Sequence, residues 1–342
     1  IQQSVERFVD DNYDLNSRVA LSSNSPGFST ENWHSMAELG WLGLPFEEED
    51  GGFGGNQIDV LVVMEQFGRG LVLEPYLASI VMGGGALKRG GTDALKSEIL
   101  PQVIEGTLQL AFAYAEEQSR FDLDDVMTSA RKEGENFVLN GQKSMVQNAE
   151  TADKIVVSAR TSSGQVSPQG ITLFLIDADA EGLSRDNFPT VDGLRASEIT
   201  LENVSVGPDR ILGEVDQGFS ILQSVANDAM LALSAEAVGA MEVLYKDTVD
   251  YTQQREQFDH PLSEFQVLQH RMVDMFMEYE QCKSLLYRAT METIQDPEAA
   301  QRTIHALMHL IGKSGMFIGE NAVQLHGGMG MTEELRIGHY FK

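Results

Sequence analysis

The spacing of apolar residues changes twice along the chain, and this most constrains the fold. Residues 1–107 show helical spacing broken by glycine-rich turns, residues 108–212 contain short strand-like runs, and residues 213–342 return to helical spacing. The strand-like runs, such as residues 171–176, are bounded by Gly, Pro, Ser or Asp. We therefore predict an α+β multidomain protein with an N-terminal helical domain (1–107), a small antiparallel β-barrel domain (108–212) and a C-terminal four-helix-bundle domain (213–342).

Local signals refine this prediction. Apolar residues recur at alternating intervals of three and four from Phe265 to Leu286, which predicts a helix with one buried seam. Asp296 followed by Pro297 predicts the N-cap and first position of the next helix. The pair Asn140–Gly141 predicts a β-hairpin turn, because both residue types tolerate positive φ.

Two other glycine runs, residues 51–55 and 83–85, lack the preceding strand and following helix of a dinucleotide-binding fingerprint. Both are therefore predicted to be turns.

Composition excludes several classes of protein. Lys and Arg number 24 against 52 Asp and Glu, and the resulting formal charge of -28 opposes nucleic-acid binding. The single cysteine, Cys282, excludes an internal disulfide and predicts a reducing compartment. No apolar run approaches the ~20 residues of a membrane span, and the first residues do not resemble a signal peptide. We expect a cytoplasmic protein without membrane insertion.

The segment 324–334, with sequence QLHGGMGMTEE, carries the strongest functional signal. Three glycines stand within four positions, directly after an apolar helical run. A side chain at any of the three would block a close approach to the backbone. We therefore expect a ligand or another chain to contact this backbone closely.

Together with the REQF sequence at 255–258 and with Phe265–Gln266, this turn resembles the flavin-binding region of the acyl-CoA dehydrogenase family. Residues 112–143 are similar to the β-domain signature of that family, so the resemblance covers nearly the whole chain in order. It implies FAD as the cofactor and a flavin site shared between subunits. The expected assembly is a homo-oligomer, dimer or tetramer, or a hetero-oligomer with a related subunit.

The resemblance also implies which residues contact the flavin. In the β domain these are Phe112, Tyr114, Ala115, Met145 and Gln147. In the helical region, where groups are expected to reach the pyrophosphate and adenosine of a neighbouring subunit's flavin, they are Arg255, Gln257, Phe258, Leu262, Phe265, Gln266, Gln324, Gly327 and Gly328. A guanidinium suits phosphate because its planar fork donates two hydrogen bonds.

The chain departs from the flavin-binding pattern of the family at five positions. Ala115 and Gln147 stand where threonines are typical, Met145 where an aromatic is typical, Phe121 where a serine is typical, and Asp259 where a glycine is typical. Backbone donors survive these changes, whereas the hydroxyl donors are lost.

The implied reaction is α,β-dehydrogenation of an acyl-CoA thioester, with an electron-transferring flavoprotein as a possible acceptor. A carboxylate must remove the α-proton. In most relatives it follows the segment that ends here at Lys342, and in others it is a glutamate at the position of Ala229, beside an arginine at the position of Met230. Asp228 is the nearest carboxylate, but one residue turns a helix by about 100°, which predicts that it faces elsewhere.

Two functions stay open. In the first, the chain is an active dehydrogenase subunit from a bacterial subgroup and resembles the small subunit of pimeloyl-CoA or steroid acyl-CoA dehydrogenases. An acyl-CoA oxidase is a variant of this function. Alternatively, the chain is a non-catalytic structural subunit that completes the flavin site of a partner. The departures at Ala115, Gln147, Ala229 and Met230 favour the second function. No metal site is expected, since His305 and His309 have suitable spacing but no third ligand.

Overall fold

The computed structural model describes residues 1–342, and its elements follow one another in three blocks. The first block is helical: α1 Gln2–Asn12, α2 Leu15–Ser22, α3 Thr30–Glu38, α4 Gln57–Gly70, a π-helical segment Tyr76–Gly84 continuous with α5 Gly85–Gly90, and α6 Asp93–Ile104. The second contains β1 Leu110–Ala113, β2 Ser129–Glu133, β3 Asn136–Gln147, β4 Lys154–Arg160, β5 Ile171–Asp177, β6 Leu183–Pro189, β7 Arg195–Val206 and β8 Ile211–Leu212. The third contains α7 Phe219–Gln254, β9 Glu256–Gln257, β10 His260–Pro261, α8 Gln266–Gln295, α9 Pro297–His326 and α10 Arg336–Phe341.

The predicted order of helical, β and helical regions is confirmed, while the domain boundaries stay a prediction. By its contacts the chain divides into two compact units. Unit 1 contains Ile1–Val19, Asn56–Val72 and Met230–Lys342, and unit 2 contains Ala20–Gly55 and Leu73–Ala229. None of the helices combines the length and apolarity that a membrane span requires.

The sheet of unit 2 has the strand order β6-β7-β3-β2-β4-β5-β8. Most neighbours are antiparallel, as predicted, but β1 pairs in parallel with β4 along Lys154–Val157. Further along the same strand, β2 pairs in parallel through Ser129 with Arg160. The sheet is therefore mixed. Residues 114–128 leave its edge between these two pairings, which opens a gap beside β4.

The hairpin turn predicted at Asn140–Gly141 is wrong. Strand β3 runs through both residues, and the chain reverses before it, between β2 and β3. Gly141 instead lies at a register shift between β3 and β7, with φ +153°. A Cβ there would lie 2.6 Å from Cα of Thr128. This glycine is thus required by a neighbouring backbone, a tertiary contact that the local turn signal does not contain.

The turn predicted at residues 83–85 is also wrong, because these glycines lie within the continuous helix from Tyr76 to Gly90. A Cβ on Gly83 would lie 2.5 Å from Cβ of Leu110, and one on Gly84 would lie 2.6 Å from the Phe46 ring. The small residues let this helix pack directly against β1 and Phe46. By contrast, Gly51 ends a short 3₁₀ turn in the left-handed conformation.

The two predictions for the C-terminal helices are confirmed. On α8, the residues of the seam from Met272 to Leu286 are buried, whereas Leu268 is half-buried and Phe265 precedes the helix as its half-buried N-cap. At the start of α9, the side chain of Asp296 accepts hydrogen bonds from the N–H groups of Glu298 and Ala299, and Pro297 occupies the first turn. The buried seam and the cap follow from spacing and local chemistry alone.

Helices α4 and α7 of unit 1 pack backbone against backbone at two glycines. A Cβ on Gly68 of α4 would lie 1.8 Å from the carbonyl oxygen of Glu236, and one on Gly239 of α7 would lie 1.9 Å from that of Glu65. The contact is reciprocal, because each glycine faces the carbonyl three residues before the other glycine. Only glycine on both helices permits this separation.

We predict that Gly239→Ala destabilises the chain, because the two backbones must separate to admit the methyl group. The loss in free energy of unfolding should reach or exceed the ~1–3 kcal/mol typical of over-packing. Gly312→Ala is the matched control: Gly312 also lies within a long helix, but its Cβ would meet nothing within 4 Å. That variant should gain about 0.5–1 kcal/mol from helix propensity. Equal effects in chemical denaturation would contradict the proposed crossing.

Candidate functional site

In unit 1, a tight hairpin presents Arg255 immediately after the end of α7. Strands β9 and β10 pair through His260 with Gln257, and the N–H of Leu262 donates to the carbonyl of Arg255 at 2.8 Å. Phe258 and Asp259 both have positive φ, 57° and 63°, as a type I′ turn requires. The turn thus tolerates Asp259 in place of the typical glycine, since aspartate enters this region at modest cost.

The side chains on this hairpin project toward solvent. Phe258, at the tip of the hairpin, is 86% exposed. The centroids of its ring and of the Phe265 ring lie 6.3 Å apart, in an edge-to-face arrangement. The guanidinium of Arg255 makes no ion pair, not even with the adjacent Glu256, and Gln257 donates to the backbone of Glu256. Leu262 lies in the turn before α8, and Gln266 begins that helix with its side chain exposed. This arrangement leaves a guanidinium and an aromatic ring available to another molecule.

The glycine turn lies beside the same end of α7. The ring of His326, the last residue of α9, stacks on the ring of Tyr251 with centroids 4.3 Å apart. Nδ1 of His326 lies 2.8 Å from the carbonyl oxygen of Ala322, so the ring is fixed on its own helix. Tyr251 precedes Arg255 by one helical turn, and Gly327 follows His326 directly. The aromatic stack therefore joins the last turn of α7, which precedes the arginine hairpin, to the end of α9, which precedes the glycine turn.

The three glycines of this turn differ in whether the chain itself requires glycine at their positions. Gly327 has φ +61° and ψ -141°, a conformation that other residues rarely adopt. Gly328 has no such constraint, and a Cβ on it would meet nothing within 4 Å. A Cβ on Gly330 would lie 2.7 Å from the carbonyl oxygen of Val323, so its small size serves packing within the chain. The expectation that all three glycines admit an external group therefore needs correction at Gly330.

In unit 2, the predicted flavin edge begins where β1 ends. Phe112 is buried, and its ring lies 5.7 Å from that of Tyr114, whose pKa is raised by burial. The carbonyl of Ala115 accepts a hydrogen bond from the N–H of Ser144 at 2.9 Å. The N–H of Ala115 makes no hydrogen bond within the chain. A half-buried backbone donor without a partner is uncommon, and it is free to bind an acceptor from outside.

Strand β3 supplies the other half of this edge. Met145 lies at a register shift with φ +54°, is 55% exposed, and its N–H donates to Glu198 at 3.2 Å. Gln147 pairs with Ala196 through the backbone and exposes its side chain. The unusual φ turns the Met145 side chain away from the regular strand direction. The hydrogen bond from Ser144 to Ala115 thus makes the segment of Ala115 a neighbour of the strand that carries Met145 and Gln147, while their contact with a flavin stays a prediction.

A buried ion pair joins these segments, and sequence reasoning missed it. Nζ of Lys143 lies 2.7 Å from a carboxylate oxygen of Glu116, with side-chain exposures of 0% and 3%. Burial lowers the pKa of Lys143 to about 8, although the Glu116 charge opposes that shift. Burial acts to raise the pKa of Glu116, but the Lys143 charge and hydrogen bonds outweigh it, so that pKa lies below its ordinary value.

Both pKa values are lowered, but with opposite consequences. The shift at Lys143 disfavours its charged ammonium, whereas the shift at Glu116 favours its charged carboxylate. Backbone donors from Met127 and Thr128 stabilise the carboxylate of Glu116, whereas Lys143 is wholly buried. Both groups are therefore ionised at pH 7. The sequence held only a weak signal for this pair, a lysine and a glutamate at fixed places in the β-domain signature.

The structure gives no support to Asp228 as a catalytic base. Its carboxylate forms an ion pair with Nη2 of Arg89 at 2.5 Å, and Arg89 also donates to the carbonyl of Gly85. A carboxylate held by a guanidinium is not free to approach a substrate proton. The adjacent Ala229 and Met230 offer neither a carboxylate nor a cation.

Comparison with known families accounts for this arrangement. The acyl-CoA dehydrogenase N-terminal domain matches residues 1–107, the middle domain matches residues 111–204, and the C-terminal domain matches residues 216–342. The three matches fall in the family's order and cover nearly all of the chain.

Individual proteins give the same picture. The chain is 31% identical to a 3-(aryl)acrylate reductase of Clostridium sporogenes over 92% of its own length and 84% of the relative's. The solved structure of PigA with FAD and proline superposes with a TM-score of 0.91 at 27% identity, covering 99% of this chain and 90% of that one. A variant of the Tcur3481-Tcur3483 steroid ACAD gives 0.88 at 26% identity, covering 99% and 89%.

We predict that alanine has unequal effects on stability at the glycine turn. Gly327→Ala should cost about 1–3 kcal/mol because of its backbone conformation. Gly330→Ala should cost a similar amount, since the methyl group would contact the Val323 carbonyl. Gly328→Ala should leave the free energy of unfolding within about 0.5 kcal/mol of wild type. Chemical denaturation of the three variants checks this, and a large loss for Gly328→Ala would show that the chain itself requires that glycine.

Proposed function

The chain belongs to the acyl-CoA dehydrogenase family, and on that premise we propose that it acts in the FAD-dependent α,β-dehydrogenation of an acyl-CoA thioester. FAD, when bound, supplies the hydride acceptor of this reaction. The residues of this chain supply the groups that bind the cofactor. Unit 1 offers groups for the pyrophosphate, and unit 2 offers an edge for the flavin ring.

The observation that carries this proposal is the unpaired guanidinium of Arg255 beside the open backbone of Gly327 and Gly328. In a chain with 52 acidic residues, a solvent-facing arginine would readily find a carboxylate. A pyrophosphate offers the paired oxygens that a guanidinium binds best, and the open glycines let a nucleotide lie against the backbone. The Tyr251–His326 stack holds both elements in place.

The β edge of unit 2 fits the flavin ring in a different way. The N–H of Ala115 supports this assignment, because a free donor can bind a flavin carbonyl. Met145 and Gln147 replace residues that in the family offer an aromatic surface and a hydroxyl. We propose that this edge binds the ring through backbone groups and apolar contact.

Neither candidate position on α7 provides the catalytic base. Ala229 lacks a carboxylate, and Asp228 is engaged by Arg89. We propose that the base lies in the segment that follows residue 342 in the family or on an unlike subunit. In either place, apolar surroundings would raise its proton affinity toward that of a thioester α-carbon.

A second function is favoured by a specific asymmetry. The groups that would serve a neighbour's flavin, Arg255, Gly327 and Gly328, are all present, whereas the chain's own flavin edge lacks its hydroxyl donors. This supports a subunit that completes the flavin site of an unlike partner. We further propose a cytoplasmic oligomer, an electron-transferring flavoprotein as acceptor, and a dicarboxylyl- or steroid-like acyl group, as the resemblance implies.

We predict that Arg255→Met weakens FAD binding by about 10- to 100-fold, because charge-assisted hydrogen bonds to the pyrophosphate are lost. Arg255→Lys should recover only part of the affinity, since an ammonium lacks the planar fork. Arg302→Met is the control, since Arg302 is an exposed arginine on α9. Flavin titration followed by absorbance measures all three. Unchanged affinity in Arg255→Met would remove the main support for the nucleotide site.

The two functions separate when the chain is purified alone. An active subunit should carry one FAD per chain and, where it also carries its own base, bleach the flavin on addition of an acyl-CoA. A structural subunit should be colourless alone and gain flavin only in a complex with a related subunit. Flavin content and anaerobic reduction decide between them, and a chain that never takes up flavin in either state would contradict both.

A further inference from the structure

The buried pair Lys143–Glu116 lies where the sheet opens beside β4. Strand β1 ends its pairing with β4 at Val157, and β2 begins its pairing at Arg160. Ser158 lies between these positions, and its Oγ is 3.0 Å from Nζ of Lys143. The lysine therefore fills the gap in the sheet with a charged group in place of an apolar side chain.

The two side chains connect several segments of unit 2. Nζ of Lys143 also lies 3.4 Å from the carbonyl oxygen of Tyr114. The carboxylate of Glu116 accepts hydrogen bonds from the N–H groups of Met127 at 2.8 Å and Thr128 at 3.1 Å, and from the side chain of Gln118 at 2.9 Å. Every one of these contacts fixes the loop that leaves the sheet after β1.

Ala115 lies between the two anchored residues. The carbonyl before it, that of Tyr114, accepts from Lys143, and the side chain after it, that of Glu116, pairs with Lys143. Its own carbonyl is held by Ser144, the residue after Lys143. The free N–H of Ala115 is thus fixed in direction although it makes no hydrogen bond itself.

We propose that Lys143 and Glu116 are positioning residues, whose buried ion pair aims the N–H of Ala115 at the flavin ring. This inference rests on the proposed function, because it assigns Ala115 to the flavin edge. Neither residue touches the flavin, and each acts through the backbone that it holds.

Stability alone does not account for a charged pair at this place. Desolvation of two ions offsets most of their attraction, and apolar replacements of buried pairs are often as stable or more so. What the pair provides is directional: four hydrogen bonds to Glu116 and three to Lys143 fix the loop in one geometry. A positioned donor binds a flavin carbonyl better than a mobile one.

The proposal also predicts a pH dependence. The charged groups that act on Lys143 are Glu116, which favours its ionised form, and Arg160, which opposes it. Because its pKa is about 8, raising the pH from 7 to 9 neutralises the ammonium and breaks the ion pair. FAD affinity should therefore fall across this interval in the wild-type chain.

The test compares Lys143→Met, Glu116→Gln and the double variant in the full-length chain. The single Lys143→Met leaves a buried carboxylate unpaired, which should lower both the melting temperature and FAD affinity, the latter by about 10- to 100-fold. The double variant has no uncompensated charge, so its melting temperature should recover, while its FAD affinity stays low and no longer depends on pH between 7 and 9. If Lys143→Met does not fold, the double variant decides.

Lys154→Met is the control, because Lys154 forms an ion pair with Asp177 on neighbouring strands of the same sheet, away from this loop. It should leave FAD affinity and its pH dependence unchanged. A double variant that binds FAD as wild type does would overturn the positioning role and leave the proposed function intact. A wild-type chain without FAD in any assembly would overturn the proposed function itself.

Discussion

The contact between α4 and α7 at Gly68 and Gly239 is the constraint on which much of unit 1 depends. Gly239 lies near the middle of α7, a helix of 36 residues. The contact there fixes the direction of the helix toward its C-terminal end. Its last turn carries Tyr251, which stacks on His326 and so fixes the end of α9. The positions of Arg255 and Gly327, separated by more than seventy residues in sequence, follow from these two contacts. An aromatic stack alone would leave both segments free to shift, whereas two glycines in backbone contact do not.

Much of the fold was predictable because its signals are local. The α8 seam and the Asp296 cap depend on periodicity and on one side chain near its own helix, and both are confirmed. The failures share a physical cause. Asn140–Gly141 has the composition of a turn, yet Gly141 is small because Thr128 passes against it, and Gly83 is small because Leu110 does. In each place a tertiary contact requires the glycine, and a single sequence does not distinguish that requirement from a turn.

Resemblance named the residues of the candidate site, but not the buried ion pair that holds one of them in place. It named Ala115 and Arg255 as flavin contacts, and that assignment stays a prediction; the structure shows only which residues surround each of them. The pair Lys143–Glu116 escaped prediction because lysine and glutamate are almost never fully buried. Their places in the β-domain signature gave only a weak signal, which does not show that the two side chains are buried together. Their burial follows from the gap beside β4, which arises only when β1 and β2 pair in succession along the same strand.

The two proposed flavin half-sites of this chain would bind by different chemistry, and this bears on the proposed function. The half on unit 1 uses a charged side chain, which binds phosphate through charge-assisted hydrogen bonds, and open glycines, which let a nucleotide lie against the backbone. The half on unit 2 depends on a backbone donor, whose hydrogen bond weakens steeply with misalignment. With the hydroxyls at positions 115 and 147 absent, the Ala115 N–H is the backbone donor on this edge that makes no hydrogen bond within the chain. A chain that only served a partner's site would have no use for a buried ion pair holding that donor. The buried pair Lys143–Glu116 therefore favours a flavin bound at the chain's own β edge.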